Sequence, residues 1–335
     1  MNTALHIESK IFSVSHASFE SLALEMFGFQ YEFNEVYQQF CKHLHIQPSD
    51  VLRLEQIPFL PIQFFKNKEI VTTQFESACI FESSGTTGQL NSRHRVKDLN
   101  LYQQSFQKTF ELFYGDVKNY CIIGLLPSYL QKGNASLVYM VQDMIGHSAY
   151  PQSGFYLDEH EKLHYTLAQN EAAGIPTLLI GVTYALLDFA EKYPMSLQHT
   201  IIMETGGMKG RREEITRQEV HAMLQQQFGT GAIHSEYGMT ELLSQGYSQG
   251  NGLFNTAPWL KVLLRAADDP FEILQTSKLS PTSSNGAINI VDLANLYSCA
   301  FIATDDVGRM YPDGSFEVLG RLDNSDIRGC GLMIL

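Results

Sequence analysis

Chemistry in this sequence gathers first at Phe81-Glu82-Ser83-Ser84-Gly85-Thr86-Thr87-Gly88-Gln89, where four hydroxyl residues and two glycines follow an apolar run ending at Ile80 and Phe81. Glycine permits the positive φ angles and close backbone approach that a phosphate cradle needs, while N–H and O–H groups supply donors. The stretch therefore reads as a site for a triphosphate or phosphoanhydride; on composition alone it reads equally as a surface loop. It lacks the Gly-Lys-Ser/Thr ending that sets a lysine on the phosphates of a Walker-type loop, which sets a kinase of that type aside.

Four further stretches carry suitable groups. Thr205-Gly206-Gly207-Met208-Lys209-Gly210 is a glycine turn against which a flat ring can lie, or else a plain strand-to-helix connection. Glu236-Tyr237-Gly238-Met239-Thr240-Glu241 offers a tyrosine face for a base, a threonine hydroxyl for a phosphate and a carboxylate for Mg²⁺ between phosphates, because hard ions take oxygen ligands. The alternative there is a polar loop whose glutamate caps the next helix. Thr304-Asp305-Asp306-Val307-Gly308 has adjacent carboxylates that accept ribose hydroxyls or cap a turn, and Gly320-Arg321-Leu322-Asp323 offers the planar fork of an arginine to phosphate or ribose oxygens.

The elements that must position these groups alternate. Apolar spacing of three and four predicts helices over 16–29 and 34–44, the second with Asn34 as N-cap, and a strand is expected at 69–74. Helices follow at 98–114, 135–145, 158–173, 182–192 and 211–228; strands are expected at 119–126, 177–180 and 200–203, then from 231 to 234. Strands alternating with helices of this length imply an α/β fold with a substantially parallel sheet, whose ligands gather at the carboxyl ends of strands. Beyond residue 250, short strand candidates at 259–265, 271–275, 287–292, 301–304 and 316–319 suggest a smaller β-rich lobe, so the expected division is 1–250 and 251–335. Leu137, Val138, Met140 and Phe155, with Tyr129, read as core rather than as an acyl tunnel.

Composition narrows the class. A chain of 335 residues is long enough to bury a sizeable core, and a formal net charge of −13 argues against a nucleic-acid surface and against anionic membranes. The N-terminus does not read as a signal peptide, and apolar runs such as 121–126 fall well short of the ~20 residues that span a bilayer, so a cytoplasmic protein is expected. The five cysteines (Cys41, Cys79, Cys121, Cys299 and Cys330) are scattered without a Cys-x-x-Cys pair, which suggests neither a disulfide framework nor a zinc site. Cys330 differs from the rest, lying between Gly329 and Gly331 beside Arg328, a setting that favours a mobile thiolate.

Taken in order, Ser83 to Gly88, Tyr237 to Glu241, Thr304 to Gly308 and Gly320 to Asp323 resemble the core motifs of the adenylate-forming superfamily, over roughly residues 80 to 330. Within it the chain most resembles the LuxE-type acyl-protein synthetases, through Leu126-Pro127-Ser128-Tyr129-Leu130, Ser136-Leu137-Val138-Tyr139-Met140, Gly206 to Lys209, Glu241 to Gln245 and Arg328 to Leu332; phenylacetate-CoA ligases come next. The resemblance implies that Ser83, Ser84, Gly85, Thr86, Thr87 and Gly88 close over the β- and γ-phosphates of ATP. It implies that Gly206, Gly207, Glu236 and Tyr237 hold adenine, that Thr240 contacts the α-phosphate, that Glu241 binds Mg²⁺, that Asp306 binds the ribose and that Arg321 supports ribose or phosphate. It further implies a carboxylic acid substrate, a fatty acid in kind, whose acyl group passes to a cysteine near the C-terminus, here Cys330, and on to an acyl-accepting reductase or carrier protein.

Two departures from the superfamily pattern stand out. The phosphate loop usually continues with Pro-Lys, whereas Gln89-Leu90-Asn91-Ser92-Arg93 follows here, so the phosphate-facing cation is Arg93, Arg95 or Lys209, or there is none. The chain also ends within about a dozen residues of where a mobile C-terminal domain of about a hundred residues would begin, so that domain and its catalytic lysine are expected to be absent. Two other readings stay open: a phenylacetate-type acyl-CoA ligase, and a non-catalytic subunit that keeps the nucleotide fold as a scaffold.

Overall fold

The structure is a computed structural model that describes residues 2–83, 90–127, 134–208, 210–213, 215–266, 268–274 and 282–322. Its contacts divide the chain into two units. The first comprises Met1–Phe106, Gly238–Gln245 and Thr256–Phe316; the second comprises Gln107–Tyr237, Gly246–Asn255 and Glu317–Leu335. The division expected at residue 250 is thereby replaced by an interleaved one. Periodicity reports local geometry, whereas unit boundaries follow strand pairings between segments distant in sequence.

The second unit is the α/β part. Its sheet runs in the order Phe316–Arg321, Phe254–Thr256, Gly246–Ser248, His234–Tyr237, Thr200–Thr205, Thr177–Val182, Cys121–Leu125 and Gly154–Phe155. The central strands are parallel, with Leu125 opposite Gly181, Val182 opposite Thr205 and Glu204 opposite Ser235. Cys121–Leu125 and Thr177–Val182 are buried at every position, as a sheet covered on both faces requires. Helices Ser136–His147, His160–Ala173, Thr183–Lys192 and Arg217–Phe228 alternate with these strands. Gly174 and Gly229 stop two of them in the left-handed region, at φ 65° and 58°.

The first unit is built on antiparallel strands Leu260–Arg265, Ser284–Asp292 and Phe301–Met310, with the short strand Leu60–Pro61 parallel to the last. Helices His16–Phe33 and Glu35–His43 belong to it, and Asn34 caps the second by accepting from Tyr37 N–H at 3.0 Å. Phe27, Tyr37, Phe59 and Phe301 form its aromatic core, with Tyr37 stacked on Phe301 at 6.0 Å between ring centroids. Gln30 threads this core with a satisfied amide, donating to the Asn295 and Leu296 carbonyls and accepting from Ala300 N–H. A buried amide so paired fixes a turn at little net loss.

Several boundaries move. The strand expected at 69–74 is irregular chain with Thr73 at φ 69°, and the pairing falls instead to Cys79–Glu82 with Arg93–Val96. The helix expected from Arg211 starts at Arg217, because Thr216 and Glu219 form a reciprocal capping box there. Arg212, ahead of it, pairs with Asp188 and Glu191. The candidate strand at 271–275 is represented by one bridge, Arg265 to Ile273. Helix Asn2–Ile11 precedes the first helix that the apolar spacing predicts. Leu137 and Val138 are half-buried while Met140 is buried, and Phe155 sits so close to Gly124 that a Cβ there would lie 2.6 Å from its ring.

Candidate functional site

In the second unit the candidate groups sit at the carboxyl ends of three parallel strands. Glu204 and Thr205 end one strand, and Glu236 and Tyr237 end its neighbour, within the strands rather than after them. Gly206 and Gly207 follow at φ 78° and 83°, consecutive left-handed positions that favour glycine strongly over any side chain. Thr183, which opens the helix after the third strand, accepts from Gly207 N–H at 3.0 Å and donates to Glu204 Oε2 at 3.0 Å, so the turn is tied to the strand end. Thr205 donates to Glu236 Oε2 at 2.6 Å.

Both carboxylates are buried, and their surroundings separate them. Burial pushes Glu236 up to about 7, against the Thr205 hydrogen bond and helped by the negative charge of Glu204. Burial acts on Glu204 too, but His221 and Arg217, each with a nitrogen 3.6 Å from Oε1, overcome it and hold this carboxyl at about 2. Arg217 also lies over the Phe254 ring at 5.2 Å and donates to the Val318 carbonyl at 2.9 Å. Phe254 in turn contacts Tyr237, with ring centroids 5.8 Å apart. Arg321 ends its strand half-buried.

In the first unit the base of the hydroxyl-glycine loop is closed by Ser83, whose N–H donates to the Ser92 carbonyl at 3.0 Å and whose Oγ accepts from Ser92 N–H at 2.9 Å. Ser84, Gly85, Thr86, Thr87 and Gly88 lie outside the described residues, as do Lys209, Asp323 and Cys330. Arg95 pairs with Glu69 at 2.8 Å and Arg93 is exposed. Thr240 and the buried Glu241 lie in a turn whose backbone other side chains hold. His94 Nδ1 donates to the Thr240 carbonyl at 2.9 Å, and Asn295 Nδ2 to the Glu241 carbonyl at 2.8 Å. Asp292 accepts from Leu243 N–H, Ser244 N–H and Ser244 Oγ at 2.8, 3.0 and 2.6 Å. Burial lowers His94 to about 4, so the ring is neutral and its tautomer is fixed by the carbonyl it serves.

Asp306 lies inside strand Phe301–Met310 rather than in a turn after it. Pairing with Ser284–Asp292 slips between Ala287 and Asn289: Ala287 faces Val307 while Asn289 faces Ala303, so Thr304, Asp305 and Asp306 bulge from the ladder. Bulges re-aim side chains at the edges of sites. Arg265 holds this one from beneath, donating to the Ile288 and Thr304 carbonyls at 2.8 and 2.6 Å and to Asn289 Oδ1 at 2.6 Å. Gln63 donates to Asp305. Among the described residues no group of three or more His, Cys, Asp or Glu side chains gathers as a metal cage. Mg²⁺ characteristically takes one or two carboxylates plus substrate phosphates, and a buried carboxylate with an anchored backbone, as at Glu241, fits that mode.

The groups that sequence reasoning missed are the supports: His94, Asp292, Asn295, Arg265, Glu204, Arg217 and His221. Their one signal is a polar residue set within or at the end of an apolar run, as in Leu260-Lys261-Val262-Leu263-Leu264-Arg265 and Ile288-Asn289-Ile290-Val291-Asp292.

Comparison with known proteins bears on family and fold. The model of the family described as acyl-protein synthetase, LuxE, matches residues 8–335. The chain is 25% identical over 341 aligned positions to a long-chain-fatty-acid–luciferin-component ligase of Aliivibrio fischeri, an alignment covering 93% of this chain and 86% of the ligase. Among solved structures, an o-succinylbenzoate CoA synthetase of Bacillus subtilis bound to a product analogue superposes with a TM-score of 0.52 at 15% identity, covering 74% of this chain and 49% of the synthetase. The same synthetase with its acyl-adenylate intermediate gives 0.51 at 15% identity, covering 73% and 49%. This chain therefore spans about half the length of those structures, and the likeness is one of fold. No helix among the described residues is long and apolar enough to cross a membrane.

Proposed function

The chain belongs to the LuxE acyl-protein synthetase family, and on that premise we propose that it activates a long-chain fatty acid with ATP and Mg²⁺ and passes the acyl group to a protein thiol. The observation that carries this reading is the clamped turn at Thr240 and Glu241, a hydroxyl and a buried carboxylate on backbone held by side-chain hydrogen bonds. The chemical difficulty is that carboxylate and triphosphate are both anions, so the site must offset their repulsion and align the attack on the α-phosphorus. Mg²⁺, when bound, supplies the charge neutralisation.

Each residue then has a task. Ser83 closes the base of the hydroxyl-glycine stretch, Ser84 to Gly88 serve the β- and γ-phosphates, and Thr240 donates to the α-phosphate. Glu241 holds the metal, and Asp306, presented by its bulge, accepts the ribose hydroxyls. Gly206 and Gly207 offer bare backbone to the adenine ring beside Glu236 and Tyr237, Arg321 supports ribose or phosphate oxygens, and Lys209 is a candidate phosphate-facing cation. A carboxylate oxygen bonds to the α-phosphorus, the bond to the β-phosphate bridge breaks, and pyrophosphate leaves. In the second step the sulfur of Cys330 bonds to the acyl carbon, AMP leaves and the thiol proton goes to solvent. An acyl-accepting reductase or carrier protein takes the group from there.

Labelled long-chain fatty acid, given with MgATP, is expected to leave hydroxylamine-labile label on the wild-type chain and none on Cys330→Ser, read by gel autoradiography. Label that persists on the variant contradicts the acceptor assignment. Product appearing only with coenzyme A supports the CoA ligase reading instead.

A further inference from the structure

His94 lies on the strand that leaves the hydroxyl-glycine loop, yet its side chain hydrogen-bonds to another motif. Strand Arg93–Val96 pairs antiparallel with Cys79–Glu82, setting Phe81 opposite His94 and Glu82 opposite Arg93. The two bonds between Ser83 and Ser92 close this hairpin at the base of the loop. Two residues on, His94 Nδ1 donates to the Thr240 carbonyl at 2.9 Å. Asp292 and Asn295, which also hold the 240–245 backbone, come from the end of strand Ser284–Asp292 and the turn after it; His94 comes from the phosphate-loop hairpin.

The form of the contact is specific. A carbonyl only accepts, so Nδ1 carries the proton, and Nε2 is buried without a hydrogen-bond partner among the described residues. The ring packs edge-on against Phe65, centroids 5.8 Å apart. A phenylalanine would keep that packing and lose the donor. An asparagine would lose the packing and keep a donor close to the Nδ1 position. Glutamine would carry its donor past it, towards the Nε2 position.

We infer that His94 is a positioning residue that locks the backbone of Thr240 and Glu241 to the base of the phosphate loop, so that one nucleotide engages both stretches in a single register. The inference rests on the adenylation reading and adds to it a coupling between two motifs. Substrate binding to the loop is then felt at Glu241 through paired strands and one side-chain bond. With that bond removed, the two motifs drift independently and MgATP pays for realigning them, while the acid does not.

Wild type, His94→Phe, His94→Asn and His94→Gln are compared in two measurements: MgATP binding by calorimetry, and acid-dependent exchange of labelled pyrophosphate into ATP with long-chain saturated fatty acids. His94→Phe is expected to raise both Kd and KM for MgATP about tenfold, the scale of one hydrogen bond, with the KM for acid within about twofold. His94→Asn is expected to restore both to within about threefold of wild type, and His94→Gln to resemble His94→Phe. A His94→Phe enzyme with wild-type KM and simply fewer active sites overturns the inference, as does His94→Asn impaired as badly as His94→Phe. If His94→Phe does not accumulate folded, His94→Gln decides, its wild-type KM or Kd counting against the inference. Wild-type protein that binds MgATP but exchanges no pyrophosphate sinks the adenylation reading while the Kd series still decides the role of His94. Wild type that binds no MgATP overturns both.

Discussion

In the unit that carries Thr240, Glu241 and Asp306, buried side chains hold backbone: His94, Asn295, Asp292 and Arg265 spend their hydrogen bonds on carbonyls and amides of the motif segments. In the unit that carries Gly206, Gly207 and Glu236, buried and half-buried side chains chiefly hold one another, through Thr205 with Glu236 and through Thr183, Arg217 and His221 with Glu204. The first arrangement fixes where irregular chain runs, which matters where the functional groups sit in a turn and a bulge. The second fixes charge at the ends of strands whose course the parallel ladder already settles. The two should therefore fail differently, the first by loss of geometry and the second by change of pH.

The largest effect that separates them is expected at Arg265. Arg265→Met leaves the Thr304 carbonyl and Asn289 Oδ1 without their Arg265 donor and the Ile288 carbonyl with the Thr304 hydroxyl in its place, which should lower stability by roughly 3–5 kcal/mol in urea unfolding, as breaking a buried charged network does. A loss below about 1 kcal/mol, the scale of a surface contact, would break the comparison, because the bulge would then hold itself.

A smaller, pH-selective effect is expected at Glu236. Its folded-state carboxyl is raised from 4.5 to about 7, so the folded chain keeps a proton that the unfolded chain releases over that window. Stability conferred by the protonated form is complete below pH 4.5 and is lost as pH rises towards 7, by up to about 1.4 kcal/mol per unit. Glu204, lowered to about 2, acts with the opposite sign: its contribution is present above pH 4.5 and is lost as pH falls towards 2. Glu236→Gln, which can still accept from Thr205, should make the decline between pH 6 and 7 shallower, leaving the part that comes from Asp292, raised to about 6 by burial. Identical pH slopes for wild type and variant would show that Glu236 does not contribute to the decline.

How much of this was legible in the sequence follows the same divide. Strands Cys121–Leu125, Thr177–Val182 and Thr200–Thr205 and the glycine turn after the last could be read because local periodicity and glycine chemistry specify them. The order of the motifs was legible as well, and the family match over residues 8–335 agrees with it. The bulge at Asp306 was not, because it arises from register between two strands, and a strand's sequence does not state its partner. The supports were equally hidden: His94 and Thr240 lie 146 positions apart, and nothing in Asn91-Ser92-Arg93-His94-Arg95-Val96 says which carbonyl the ring will serve. The interleaved units escaped for that reason too, since segments 238–245 and 256–316 join residues 1–106 only through long-range contacts.

The central claim is that the clamped Glu241 turn serves adenylation. It is tested most directly by exchange of labelled pyrophosphate into ATP, measured with long-chain fatty acids for wild type and for Glu241→Gln, whose amide occupies the same space without the charge. The account predicts acid-dependent exchange in wild type and a loss of about a hundredfold or more in the variant, the scale of removing one preorganised electrostatic group. Exchange in the variant equal to wild type, or none in wild type across acids of every chain length and aromaticity, would contradict it.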